Sequence, residues 1–387
     1  MSSDGQLLPA LDIPHYVPPT ATKESLDYAK LAIVDLSKAN TREGLVELAA
    51  QVRDAMRDIG FFYIINHGYT QSQNDRIFDI ANATFTQVDD DEKRRLEGDF
   101  EKTGTYEGYK LPNSWHIDNG IHDKIEQYNI NRDVFKREHP EVLKPLLPEV
   151  EQFAKHNHFN ILHTILRLLA IGLELPEDTF VNIHNFDAPG HSSARFMKYF
   201  PRSQDEEDKT SQVWLKGHAD IGTISILWSQ PISALQILSP DGKWRWIKHI
   251  DNALVINAGD SMEFLSGGYY RATIHRVVQP PRDQRGYSRV GVFYFAMADD
   301  SVKLTPLSDS PVLQRYGIKR RFEDSEAPTM EKWRKGVTTA YGKTQLKKLE
   351  NGHEQELING IPVTHYNWAH LKTSTVFFPY NTKQPHT

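Results

Sequence analysis

Between Ser192 and Lys303 the chain breaks into seven short runs rich in β-branched and aromatic residues: SARFMKYF, TISILWS, ALQIL, WRWIKHI, ALVINAG, ATIHRVV and RVGVFYFA, separated by Gly, Pro and Asp. Short strands at this density predict a sandwich or barrel of the jelly-roll kind. Before them, Pro148 to Gly172 carries Val150, Phe153, Ile161, Leu162, Ile165, Leu168 and Leu169 as a wide apolar stripe, which predicts a long helix against which the sheet packs. Nearer the start, Leu31 to Leu36 reads as a strand. Leu45, Leu48, Ala49, Val52, Met56 and Ile59 then recur at helical spacing up to Gly60, and Phe61 to Asn66 (FFYIIN) is a second strand. A further helix is expected from Asn74, as N-cap, to Val88. Asp89 to Arg95 reads as a solvated charged face, and Gly104 to Trp115 as an ordered loop or hairpin edge.

The predicted class is therefore α+β with a mainly β core flanked by helices. Its expected divisions are an arm over residues 1–30, a strand-and-helix region over 31–135, the jelly-roll core with its backing helix over 136–303, and a C-terminal helical extension over 304–387 that includes a helix from Met330 to Tyr341.

Composition narrows the chemistry. A formal net charge of -6 lacks the basic excess that phosphate-backbone binding needs, so a small-molecule partner is expected and neither nucleic acid nor an anionic membrane is. No apolar run approaches the roughly 18 residues of a membrane span, and the first ten residues lack a signal-peptide layout, so the expected location is cytoplasmic. The chain has no cysteine, which removes thiolate-held haem, iron–sulfur clusters and cysteine nucleophiles together. Any metal must be held by His, carboxylate or backbone. With 17 histidines present, spacing and context have to pick the ligands.

In Lys216-Gly217-His218-Ala219-Asp220 the His and Asp are two apart, so in an extended segment both side chains share one face. His275, in a later strand, supplies a third ligand. Two His and one carboxylate form a facial triad that leaves three positions open on non-haem iron(II). Arg289 opens the next run, RVGVFYF, and its guanidinium forks onto a carboxylate in two-point fashion, as a dicarboxylic co-substrate requires.

These residues, with GFFYIINHG at Gly60 to Gly68, GHADIGTISIL at Gly217 to Leu227 and NAGDSMEFLSGGYYRATIHRV at Asn257 to Val277, make the sequence similar to the isopenicillin-N-synthase-like superfamily of iron(II)/2-oxoglutarate oxygenases. RVGVFYF most resembles microbial and fungal members, thymine-dioxygenase-like enzymes among them. The resemblance implies a double-stranded β-helix. It also implies iron(II) on His218, Asp220 and His275, 2-oxoglutarate anchored by Arg289, dioxygen as oxidant, and oxidation of a small organic substrate with release of succinate and carbon dioxide.

Two departures touch the co-substrate. The family's Arg-x-Ser becomes Arg289-x-Gly291, and its Asn-x-Tyr aligns with Lys198-Tyr199-Phe200, which makes Lys198 a candidate donor. They leave open a 2-oxo-acid-independent oxidase of the isopenicillin N synthase type. A non-catalytic sensor and a zinc hydrolase are further alternatives. For the substrate the resemblance points to the loop Tyr106 to Trp115 and to Glu126 to Asn129, with Tyr109, Trp115 and Asn129 as candidates and Phe293 beside them.

Overall fold

All seven runs contain strands in the computed structural model, which describes residues 13–340, 347–348, 354–358 and 361–365. In chain order the strands are β1 (Ile33–Asp35), β2 (Phe61–Ile65), β3 (Gly108–Lys110), β4 (His116–Asp118), β5 (Ile121–His122), β6 (Ile125–Asn131) and β7 (Ser193–Tyr199). They continue as β8 (Val213–His218), β9 (Ile224–Trp228), β10 (Leu235–Leu238), β11 (Trp244–Trp246), β12 (Leu254–Ala258), β13 (His275–Val278) and β14 (Arg289–Ala296). A major sheet has the order β1-β2-β12-β9-β14-β7-β6-β3, and a minor sheet the order β11-β10-β13-β8. One face of the major sheet packs on helices through Phe196, Ile226, Ile256, Val292 and Tyr294, all buried in the largest core cluster. The other face meets the minor sheet through two smaller clusters, one joining Phe61, Leu227 and Val255 to Leu235 and Ile237, the other joining Met197 and Tyr199 to Leu215 and Val277. That two-sheet arrangement is the jelly roll, and burial on both faces explains why the central strands are apolar throughout rather than alternating.

The backing helix is three segments, Leu147–Lys155, a π-helical stretch His156–Leu162, and His163–Gly172. In the π stretch the Trp228 Nε1–H donates to Asn157 Oδ1 at 3.1 Å, while His158 Nδ1 meets the Tyr294 hydroxyl at 2.8 Å. The widened turn thus docks the helix on β9 and β14 by polar bonds inside an apolar interface.

Several expectations are corrected. The helix expected to start at Asn74 spans Gln71–Thr86, with Thr70 as N-cap in a capping box with Gln73, and Asn74 is buried inside it. The Asp89 to Arg95 stretch is a short helix, but not all of it is solvated: Lys93 turns inward to Glu126 at 2.8 Å and to the Phe85 carbonyl. The segment after Gly104, expected as an ordered loop or hairpin edge, does carry an edge strand: β3, paired with β6 at the end of the major sheet. β6 and β8 were not among the predicted strands; β6 reads IEQYNIN, yet all seven residues are buried.

Of the arm, residues 1–12 lie outside the described residues. From Ile13 the chain lies along the body: the Tyr16 amide donates to Asp79, Lys23 to Asp283, and Tyr28 pairs with Trp246. The segment after residue 304 carries the helices Pro311–Tyr316 and Met330–Ala340, and also a three-stranded antiparallel sheet, β15 (Lys347–Lys348), β16 (Glu354–Ile358) and β17 (Ile361–His365). Tyr341, the expected end of the second helix, is outside the described residues.

Candidate active site

β8 and β13 are antiparallel neighbours in which His218 stands opposite His275, so their imidazoles lie side by side with ring centroids 4.5 Å apart. β8 ends at His218. Asp220 is therefore not the next inward residue of one extended strand, as the spacing suggested, but the first turn beyond it. Its backbone carbonyl accepts from the Asp260 amide at 2.8 Å, which pins that turn against the segment after β12. The approach is tight enough that a Cβ on Gly259 would lie 2.7 Å from the same carbonyl oxygen. Asp220 Oδ1 is 3.9 Å from His218 Nε2 and 3.8 Å from His275 Nε2, and the three ligand atoms all lie within 4.8 Å of one another.

Their outer bonds leave the inner atoms available. His218 Nδ1 lies 2.8 Å from the Lys216 carbonyl and His275 Nδ1 3.2 Å from that of Thr273. A carbonyl only accepts, so both Nδ1 atoms carry the proton and both Nε2 atoms keep a lone pair toward the centre. The other Asp220 oxygen, Oδ2, accepts from Ser225 Oγ–H at 2.6 Å and Asn257 Nδ2–H at 2.7 Å, leaving Oδ1 to a metal. Burial works to raise the Asp220 pKa, but His275, His218, Asn257 and Ser225 outweigh it and hold the carboxyl below the usual range. Two imidazole nitrogens and one ionised oxygen on one side of an open cavity fit a non-haem iron(II) facial triad.

The cavity holds about 600 Å³ between the two sheets. Arg289 lines it, with 4% of its surface exposed. Its Nε donates weakly to the Ile232 carbonyl at 3.4 Å, its guanidinium lies 5.5 Å from the Tyr199 ring centroid, and among the described residues no carboxylate pairs with it. Burial lowers its pKa, opposed by Tyr199 and Tyr16. The Tyr199 hydroxyl donates to the Met197 sulfur at 3.7 Å. A buried cation thus lines the cavity with no carboxylate among the described residues paired to it.

Strand alternation sorts the remaining candidates. On β7, Arg195, Met197 and Tyr199 line the cavity, so Lys198 cannot. Its Nζ points to the helix side, 3.3 Å from Asn82 Oδ1, and the expectation that it reaches the co-substrate is corrected: the inward places belong to Met197 and Tyr199. Tyr109 is corrected for the same reason, being fully buried with its hydroxyl on the Thr84 carbonyl. Trp115 does line the cavity and covers the Lys110 ammonium, 4.1 Å from its ring centroid. Asn129 stands behind the wall, its Oδ1 accepting from Arg195 Nε. Phe293 lines the cavity, stacked on Phe295 with centroids 5.4 Å apart. Gly291 contributes no side chain: a Cβ there would lie 2.7 Å from the Phe293 ring and 3.6 Å from Arg289 Nη1.

Residues that sequence reasoning missed are Ser225 and Asn257 behind the aspartate, Tyr199 beside Arg289, and Arg195, whose guanidinium lies 4.3 Å from the Phe295 ring centroid and 5.2 Å from that of Tyr106. Period-two reading of SARFMKYF backwards from Tyr199 is the signal that finds two of them. From beyond residue 304, Arg320, Arg321, Val337, Gln355 and Val363 also line the cavity.

Comparison with known proteins agrees with this geometry. Residues 31–149 match the family described as non-haem dioxygenase in morphine synthesis N-terminal, and residues 191–297 match the 2OG-Fe(II) oxygenase superfamily. A 2-oxoglutarate-dependent dioxygenase of Gibberella zeae is 36% identical over 191 residues, 49% of this chain and about half (55%) of that relative. A 2-oxoglutarate-Fe(II) type oxidoreductase of Emericella nidulans is 24% identical over 70% of this chain and 80% of the relative. Among solved structures, the Neurospora crassa thymine hydroxylase in complex with alpha-KG and 5-formyluracil superposes with a TM-score of 0.69 at 20% identity, over 82% of this chain and 99% of that one, a likeness of fold.

Proposed function

The chain belongs to the 2OG-Fe(II) oxygenase superfamily, and from that premise we propose that it is a 2-oxoglutarate-dependent iron(II) oxygenase acting on a C–H bond of a small organic substrate. The observation that carries this reading is Arg289, a buried guanidinium without a carboxylate partner among the described residues, lining the same cavity as His218, Asp220 and His275. Iron(II), 2-oxoglutarate and dioxygen, when bound, supply oxidative decarboxylation to succinate and carbon dioxide coupled to oxidation of the substrate.

The chain's own part is orientation and exclusion of water. His218 Nε2, Asp220 Oδ1 and His275 Nε2 hold the metal. Arg289, with the Tyr199 hydroxyl beside it, receives the distal carboxylate of the co-substrate. Apolar walls from Phe61, Leu215, Leu227, Leu235 and Val277 keep the space between them dry. A substrate would meet the part of the cavity lined by Tyr106, Trp115, Arg195 and Phe295. Aromatic faces beside a guanidinium suit a planar molecule bearing a hydrogen-bond acceptor. No described helix is long and apolar enough to cross a membrane, and a cytoplasmic location rests on the sequence expectation alone.

The test is anaerobic addition of iron(II) and then 2-oxoglutarate, following the weak visible charge-transfer band of a chelated 2-oxo acid. The band is expected with wild type, and Arg289→Ala should weaken 2-oxoglutarate binding about a hundredfold. Succinate formed one-for-one with oxidised substrate completes the case. Gly291 keeps the oxidase reading as the second one, and substrate oxidation without succinate is the result that would replace the first.

A further inference from the structure

The inward residues of β14 are Arg289, Gly291, Phe293 and Phe295, and the ring of Phe293 does not simply point across the cavity. It folds back along its own strand, over Gly291, until its Cε2 lies 2.7 Å from where a Cβ on residue 291 would be. The same Cβ position is 3.6 Å from Arg289 Nη1. On its other side the ring stacks on Phe295 at an interplanar angle of 16°, and it packs against both inner core clusters, the one containing Leu227 and Leu235 and the one containing Met197 and Tyr199. The bare backbone at Gly291 is thus filled by an aromatic ring next to the guanidinium.

We propose that Phe293, seated over Gly291, is a specificity-determining residue for the 2-oxo acid: its ring forms the apolar side of the channel between the metal triad and Arg289 and sets the chain length that fits. This rests on the 2-oxoglutarate reading above. The physical basis is that an extended 2-oxo dicarboxylate has charged ends and a methylene middle. The ends are met by the metal ligands' ion and by Arg289, so the wall beside the middle must be apolar and close, and a flat ring does both. Gly291 and Phe293 are then interlocked. Any side chain at 291 has to push the ring out of its seat toward the channel or toward Phe295.

The experiment is anaerobic titration of the iron(II)-loaded full-length protein with 2-oxoglutarate and with the one-methylene-longer 2-oxoadipate, read by the charge-transfer band. Wild type, Phe293→Ala, Phe293→Leu, Gly291→Ser and the double variant Gly291→Ser/Phe293→Ala are compared. Wild type should prefer 2-oxoglutarate. Phe293→Ala should weaken 2-oxoglutarate about tenfold while leaving 2-oxoadipate nearly unchanged, so that the preference collapses. Gly291→Ser should also weaken 2-oxoglutarate, and the double variant should bind better than the product of the two single effects, because the serine then enters space the ring has left. Phe293→Leu, which keeps an apolar wall, should fall between wild type and alanine and serves if the alanine variant does not fold. An unchanged ratio in the alanine or leucine variant, or strictly additive effects in the double variant, overturns the proposal. A band that wild type fails to give with either acid, and no response to Arg289→Ala, overturns the function reading instead.

Discussion

The two faces of β14 and its neighbour β7 divide the labour of the molecule. Toward the helices, Val290, Val292, Tyr294 and Phe196 are fully buried in apolar contact, and one polar bond, Tyr294 to His158, locates the backing helix. Toward the cavity, one residue away in each case, stand Arg289, Gly291, Phe293 and Arg195: a cation with no carboxylate paired to it among the described residues, a glycine, a partly exposed ring and a second guanidinium. The first face is locally self-consistent and the second is not. Groups that violate burial rules are tolerated where a rigid sheet holds them and a ligand completes them.

The contrast can be broken deliberately from the functional side. Asp220→Ala removes the only carboxylate of the triad, and we expect iron binding by metal analysis and 2-oxoglutarate turnover to fall to background while the thermal midpoint without metal stays level or rises, since a buried charge is lost. On the opposite face Phe196→Ala should do the reverse. Removing a fully buried ring should destabilise the protein by about 3–5 kcal/mol in denaturant unfolding, with 2-oxoglutarate affinity retained in the folded fraction. A loss of both properties in either variant would show that the faces are coupled rather than divided.

Acid should loosen the helix face. Burial pushes the His158 pKa down to about 3, and those of His156 and His184 to about 4, from 6.5 in the unfolded chain. Since the unfolded state binds these protons first, their contribution to stability is full above about pH 6.5 and is lost as pH falls toward 4. Thermal midpoints followed between pH 7 and pH 4 should drop steeply in wild type and less in His158→Gln; parallel curves would remove His158 from the account. The smallest effect is expected behind the metal. Asn257→Ala takes one of two hydrogen bonds from Asp220 Oδ2 and should weaken iron(II) binding about 10–100-fold, measured by competition with a chelator, without shifting the unfolding curve of the metal-free protein by more than about 1 kcal/mol.

The apolar strands were legible because burial on both faces leaves a nearly continuous β-branched signal, and His218, Asp220, His275 and Arg289 were legible because few other chemistries need those types in that order. β6 was not, since Glu126, Gln127, Asn129 and Asn131 look like loop residues until Lys93 and Arg195 arrive from other segments to pair with Glu126 and Asn129. Nor was β8, whose Lys-Gly-His end masks a strand that the cross-strand pairing to β13 confirms.

By itself, then, the sequence determined the jelly-roll class, the ligand types and the guanidinium, because hydrophobic period and metal chemistry are properties of residues and their spacing. Only the tertiary structure decided which face each side chain took. The period of a strand is two, so a shift of one residue in aligning Lys198-Tyr199-Phe200 exchanges wall for core, and that register is fixed by the pairing of Tyr199 with Arg289 across the sheet. The placement of Lys198 on the helix side follows from that register, and that of Tyr109 from the pairing of β3 with β6, neither of which the residues themselves specify.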